Sequence, residues 1–331
     1  MANVSLRSLR FRQEREATWV QLEDLLKRLE RRSPASLSDE DMLAIPSLYR
    51  ATLSSLSVAR ATSLDLALIE YLEALCARAY FFVYGARTTL VERIGDFFAY
   101  SWPNAVRNMW RETIAAGLIM AVGALAAFFL IQSDPAFYFS FVPAELSGGR
   151  DPGASAAELR ETLYQPVDVD DALGVFATFL FTHNAQIAIF AFALGVAFCL
   201  PSIFLIAYNG CTLGAMFAVF AAHGLAFEFG GWVLIHGVTE LLAITLAGAA
   251  GLRVGWAVAF PGALSRLEAA ERAGREGGVA MIGVVVMLML AGLLEGFARQ
   301  LIQADLVRWS IAGASAVIWA LYFYIPRGQR R

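Results

Sequence analysis

Residues 172–227 form a run of 56 positions without one aspartate, glutamate, lysine or arginine. No soluble surface is built from such a run. A bilayer core about 30 Å thick is crossed by roughly 20 apolar helical residues. The run is too long for one crossing and fits two, preceded by an apolar lead-in. Asn209-Gly210 is a strong turn dipeptide and predicts the break, with spans near 184–207 and 211–227. The stretch 114–131 is free of charge and forms the first span. The stretch 229–252 carries one formal charge, Glu240, and forms the fourth. Spans near 277–297 and 307–326 complete the set, the last ended by Pro326, which cannot continue a helix. Composition agrees: 58% of the chain is hydrophobic and 17% charged, against about 45–50% and about 25% in soluble domains. The expected fold class is all-α: a polytopic membrane protein of about six transmembrane helices with an N-terminal cytosolic helical bundle.

Arginine sets the expected orientation. Residues 1–112 carry 15 Lys and Arg against 14 Asp and Glu, whereas 132–171 carries Arg150 and Arg160 against eight acids. Residues 253–275 hold Arg253, Arg266, Arg272 and Arg275, and the tail holds Arg327, Arg330 and Arg331. Six spans with both termini in the cytoplasm place every basic segment inside and the acidic loop 132–171 outside. The N-terminus has no apolar run behind its charges and does not read as a signal peptide. The expected location is the bacterial inner membrane.

Residues 1–110 read as a cytosolic helical region. Trp19, Leu22, Leu25 or Leu26, and Leu29 recur at helical spacing within 15–32. Ser38 with Asp41 three residues on is an N-cap signal. Pro46 can open a further helix reaching Tyr84, with Leu64, Leu68, Tyr71, Leu72, Leu75, Ala79 and Phe82 on one face and Gly85 as its C-cap. A bundle burying its own stripe and a docking module for a partner are both compatible with this pattern. Residues 90–110 interleave Phe97, Phe98, Tyr100, Trp102 and Trp110 with Arg93 and Arg107, the composition of a helix lying in the headgroup layer. The outer loop, with four prolines and Gly148-Gly149, reads as irregular. Its Asp168, Asp170 and Asp171 either cap the next helix or meet a cation or a basic partner.

Ionisable residues inside a membrane are costly and face the bundle interior. The chain offers His183, His236, Glu240 and Glu295, supported by Asn184, Asn209 and Thr239. His236 and Glu240 are four residues apart and share a helix face. Beside them run Thr239, Ala243, Ala247, Gly251 and Gly255, a row of small residues that admits a neighbouring helix. Gly210 and Gly214 offer a similar approach on span three. The polar cluster has three readings: a network that fixes helix packing, a proton or ion path, or a metal or catalytic centre. His236-Gly-Val-Thr-Glu240 lacks the second histidine of a zinc protease helix, so neither metal nor cofactor is expected.

Other chemistry is excluded by what is missing. The single lysine, Lys27, stands in no Gly-rich segment, and there is no G-x-G-x-x-G or G-x-S-x-G, so nucleotide use and nucleophile-elbow hydrolysis are not expected. With a net charge of −3 there is no basic excess for nucleic acid. The cysteines Cys76, Cys199 and Cys211 show no disulfide or zinc spacing.

Three stretches carry a resemblance: Phe181-Thr-His-Asn-Ala-Gln-Ile-Ala-Ile-Phe-Ala-Phe-Ala-Leu-Gly195 with Asn209-Gly210 and Leu213-Gly214; His236-Gly-Val-Thr-Glu-Leu-Leu-Ala-Ile-Thr-Leu-Ala-Gly-Ala-Ala-Gly251; and Leu294-Glu295-Gly296. The chain resembles the stage II sporulation protein M family over roughly 170–326, with His183 in place of an expected asparagine. Leu48-Tyr-Arg and Leu56-Ser-Val-Ala-Arg60 are similar to the longer, non-sporulating members. The resemblance implies a non-catalytic membrane scaffold that gathers cell-envelope or peptidoglycan-remodelling partners in the lipid bilayer. The small-residue face adds self-association. The alternatives are a small-solute or ion transporter using His236, Glu240 and Glu295, and an intramembrane metalloenzyme.

Overall fold

The computed structural model describes residues 2–31, 38–62, 65–84, 89–164 and 172–325. They form helices and turns, with no strand among the described residues. The chain divides into two compact units, residues 1–90 and 91–331.

The first unit is three helices: α1 (Ala2–Arg31), α2 (Asp39–Ala61) and α3 (Leu66–Tyr84). Trp19, Leu22, Leu25 and Leu26 of α1 close a core with Ile45, Tyr49 and Leu56 of α2 and Leu68, Leu72, Leu75 and Ala79 of α3. Each of these sits on an apolar stripe at helical spacing, and burying it drives the assembly. Ser38 caps α2, accepting from the Asp41 N–H at 3.2 Å. The expected single helix from Pro46 to Tyr84 is corrected: Pro46 lies within α2, and the chain breaks after Ala61. Pro46 is the eighth residue of α2, so the Met42 carbonyl lacks the helical bond that an N–H there would have made. Leu64 and Gly85 lie outside the described residues.

The second unit begins with α4 (Leu90–Asp96), a π-turn over Phe97–Ser101, and α5 (Trp102–Asn108). The boundary expected at 110 therefore moves to about 91, for a packing reason. Trp102 is buried against Trp319, Tyr322 and Phe323, and a Cβ on Gly283 would overlap its ring. The Tyr322 hydroxyl donates to the Phe98 carbonyl at 2.6 Å, and Arg107 donates to the Phe323 carbonyl at 2.8 Å. Residues 97–108 are part of the helix packing of this unit. Leu90, Val91 and Ile94 are exposed.

After α6 (Trp110–Ser133) come a 3-10 turn (Pro135–Ser140), α7 (Ala144–Ser147) and α8 (Ala156–Tyr164), then α9 (Ala172–Ala193), α10 (Leu200–Ala222), α11 (Ala226–Ala259) and α12 (Arg266–Leu293). A π-turn (Leu294–Ala298), α13 (Arg299–Leu301) and α14 (Asp305–Tyr324) finish the chain. α6, α10, α11, α12 and α14 are long and apolar enough to cross a membrane, and α9 adds a described apolar stretch over Phe181–Val196. α11 is the axis: 72% of its most apolar window is buried, and it packs on α6, α9, α10, α12 and α14.

The break between the second and third spans is corrected. It falls at Ala197–Cys199, not at Asn209-Gly210. Phe198 and Cys199 adopt φ of 57° and 67°, a region that costs a non-glycine residue about 1–3 kcal/mol. Pro201 then occupies the first turn of α10, where its missing N–H is harmless. Gly210 stays helical because it is a contact residue: a Cβ there would overlap the Met120 carbonyl, and one on Gly214 the Ala124 carbonyl. The third span ends at Gly224, whose φ of +72° suits glycine.

The 134–164 segment, expected to be irregular, is organised. Tyr138, Val142, Leu159 and Leu163 are buried with Phe220 and Phe229. The Tyr138 hydroxyl donates to the Arg150 carbonyl at 2.5 Å. Ser155 and Glu158 close the first turn of α8 reciprocally. Asp168, Asp170 and Asp171 lie outside the described residues.

Candidate functional site

Trp232, His236 and Glu240 follow one another at four-residue steps on a single face of α11. Glu295 comes to this face from the π-turn that interrupts the end of α12. Such a turn carries one extra residue and re-aims the side chains that follow. His236 Nε2 lies 3.6 Å from Glu295 Oε1. One ligand atom from each of His236, Glu240 and Glu295 falls within 4.8 Å of the others. Asn184 of α9 hydrogen-bonds Glu240. His236 and Glu295 are enclosed, at 6% and 7% exposed, and Glu240 is half-buried.

Two residues that the sequence reading did not place in the site complete it. Arg299 Nη1 donates to Glu295 Oε1 at 2.7 Å and is itself buried. Its guanidinium lies 4.3 Å from the centre of the Trp232 ring, a cation–π contact strengthened by desolvation. Arg150, from the 134–164 segment, lies over the same ring at 5.2 Å while its Nε donates to the Ser147 carbonyl at 3.0 Å. The signal for Arg299 was present: Glu295 and Arg299 are four residues apart at the end of an apolar helix.

A third arginine ties this end of the bundle together. Arg308 is 1% exposed and donates to the carbonyls of Ile302 at 2.7 Å, Leu163 at 3.1 Å and Arg299 at 3.4 Å. It thereby joins α14, α13 and α8. Tyr164 donates to Asp305 at 2.8 Å, and burial with this bond pushes the Tyr164 phenol up to about 12. Arg160 and Glu228 add an ion pair at 3.0 Å.

The remaining candidates are distributed. His183 is exposed on α9 and so lies outside the buried group, although its neighbour Asn184 joins it. Asn209 is half-buried within α10. Ala243 and Ala247 are fully buried. A Cβ on Gly251 would overlap the Ala191 carbonyl, and one on Gly255 would overlap Gly195 and Cys199. The small-residue row therefore receives α9 and the turn after it. Thr239 accepts from Trp319 Nε1 at 3.0 Å, which brings α14 to the same rod.

His236, Glu240 and Glu295 are the described residues that could hold a divalent ion. One imidazole and two carboxylates make a reasonable donor set. A cation there would share Glu295 Oε1 with a guanidinium 2.7 Å away, and that repulsion weighs against a metal.

Comparison with known families agrees with the helical plan. The model for Stage II sporulation protein M matches residues 114–298, and a domain of unknown function, DUF8413, matches residues 9–85. Neither the curated proteins nor the solved structures contain a match.

Proposed function

We propose, for a chain that belongs to the stage II sporulation protein M family, the role of a non-catalytic integral membrane scaffold. It organises protein partners of the cell envelope, peptidoglycan-remodelling enzymes among them. It resides in the bacterial inner membrane with both termini in the cytoplasm and the 134–164 segment outside. One observation carries this reading: the two carboxylates of the bundle interior are each engaged by a neighbouring side chain. Glu295 is matched by Arg299, Glu240 by Asn184, and His236 is enclosed. Buried networks of this kind fix which helices meet. The parts left to act on other molecules are the helical bundle of the first unit and the docked 134–164 segment. The test is co-purification of the full tagged chain in mild detergent after cross-linking in cells. Envelope proteins in stoichiometric yield are expected. Recovery of the chain alone, with or without cross-linking, overturns the reading.

A second reading, passage of an ion or small solute, is favoured by the meeting of His236, Glu240 and Glu295 at one point. Enclosure of two of the three counts against an open path. Flux in liposomes that is lost on Glu240→Gln supports it, and equal flux in both removes it.

A further inference from the structure

We propose that the crevice between the end of α11 and the first turns of α12 holds the headgroup of a zwitterionic phospholipid with a primary ammonium. Arg272 takes the phosphate, and Glu112 and Glu276 take the ammonium. The inference stands apart from the scaffold reading and requires no particular orientation of the chain in the membrane.

The charges at this end of the bundle do not close on themselves. Arg272 has an acid four residues away on each side, Glu268 and Glu276, the spacing of helical ion pairs. Both acids are engaged elsewhere. Glu268 accepts from the Ser265 N–H at 2.9 Å and closes the first turn of α12. Glu276 is drawn to Arg253 of α11 at 3.0 Å. Arg275, the next arginine along, is paired with Glu271. Arg272 is left exposed and without an ion pair among the described residues. Beside it the imbalance is reversed. Glu112 of α6 reaches the same Arg253 at 3.5 Å, so two carboxylates share one guanidinium and one negative charge is left over. Arg253 is held from a third side by its bond to the Asn108 carbonyl at 2.8 Å.

These poles line one crevice of about 330 Å³, at the small end of ligand sites. Its charged residues are Arg253, Arg272, Glu112 and Glu276, so it is neutral overall and divided into a positive and a negative side. That pattern complements a zwitterion and offers no net attraction to an anionic headgroup.

The rim points to a lipid as the source of the zwitterion. Trp256 and Phe260 of α11, each 64% exposed, line the crevice together with Leu264 of the connecting turn. An exposed tryptophan at the end of a spanning helix marks the edge of the hydrocarbon, and α12 is free of charge from Gly277 to Leu294. A lipid with its headgroup between the two poles lays its chains on these apolar side chains. A soluble phosphoamine would leave them uncovered.

Native mass spectrometry tests the proposal on the full chain in micelles doped with phosphatidylethanolamine, phosphatidylcholine or phosphatidylglycerol of one acyl composition. One phosphatidylethanolamine per chain should be retained about tenfold over phosphatidylcholine, whose quaternary ammonium donates no hydrogen bond to a carboxylate. Arg272→Ala, which removes an exposed and unpaired side chain, and Glu112→Gln should each abolish the preference. Equal retention of the three lipids, retention of none, or highest retention of phosphatidylglycerol overturns the proposal. So does a preference unchanged in either variant. Displacement of the lipid by phosphoethanolamine at equal concentration would place the ligand in solution and overturn it as well.

Discussion

Arg299 Nη1 lies 2.7 Å from Oε1 of Glu295, four residues back on the same interrupted helix, and both side chains are buried. The bond crosses the π-turn, so the distortion and the ion pair support each other. Removing one partner leaves an uncompensated charge, whereas removing both leaves a gap that apolar side chains can fill. Arg299→Leu is expected to destabilise the second unit by about 3–5 kcal/mol. The double variant Arg299→Leu/Glu295→Leu should recover most of that loss. Denaturant unfolding in micelles measures both, and additive losses in the double variant would sink the explanation.

Glycines on the rods should divide sharply. Gly210 and Gly214 meet carbonyls of α6 where a Cβ would stand, while Gly274 and Gly278 of α12 have open space there. Gly210→Ala and Gly214→Ala should each lose more than the about 1–3 kcal/mol of ordinary overpacking, since backbone must move. Gly274→Ala and Gly278→Ala should be neutral or gain about 0.5–1 kcal/mol from helix propensity. Thermal unfolding of the four variants side by side decides it.

Arg308→Lys keeps the charge and loses the fork that reaches three carbonyls. Amides of α8 should exchange faster while those of α10 remain protected. Unchanged exchange in α8 would show that Arg308 does not hold it.

The Ser155 backbone and side chain bond the Glu158 carboxylate and hold it below its ordinary value. For a depressed carboxylate, the stabilisation is complete above the unfolded value, about 4.3, and fades as pH falls through the lower folded value. The Glu158 titration midpoint should rise part of the way toward the ordinary range in Ser155→Ala, which removes the hydroxyl and keeps the backbone bond. Equal midpoints would refute the reciprocal cap.

Burial pushes the Cys76 thiol up to about 11, so at neutral pH about one molecule in ten thousand holds the thiolate. Alkylation of Cys76 should be undetectable in the folded chain and rapid in denaturant. Fast labelling without denaturant would mean that the helical bundle opens.

Helix type was legible because charge-free runs have no other stable solution, whereas helix number was not: the stretch from Pro46 to Tyr84 is two helices. The face shared by His236 and Glu240 was legible from spacing alone. The break at Phe198–Cys199 was not, because both residues adopt a conformation that their side chains disfavour and only the packing around them holds. Asn209-Gly210 misled for the converse reason: glycine serves a turn and a close helix contact equally well. Arg150 and Trp232 were invisible as a pair because they lie 82 positions apart and meet only when the 134–164 segment folds back. In Pro46, a residue read as a helix start was accommodated inside α2.

α11 has 34 residues and α10 has 23, so the axial rod outreaches its neighbour by about 16 Å. No single hydrocarbon thickness matches both. The far end of α11, with the Trp256 ring tilted against Phe260 at 4.5 Å and Arg253 held by Glu112 and Glu276, has the aromatic and basic groups that anchor at a lipid–water boundary. Mismatch of this size is relieved by tilt or by local bending of the bilayer. Because α11 is enclosed by its neighbours over most of its length, its surplus turns emerge only at the end around the exposed Trp256 and form an interfacial shoulder on the bundle.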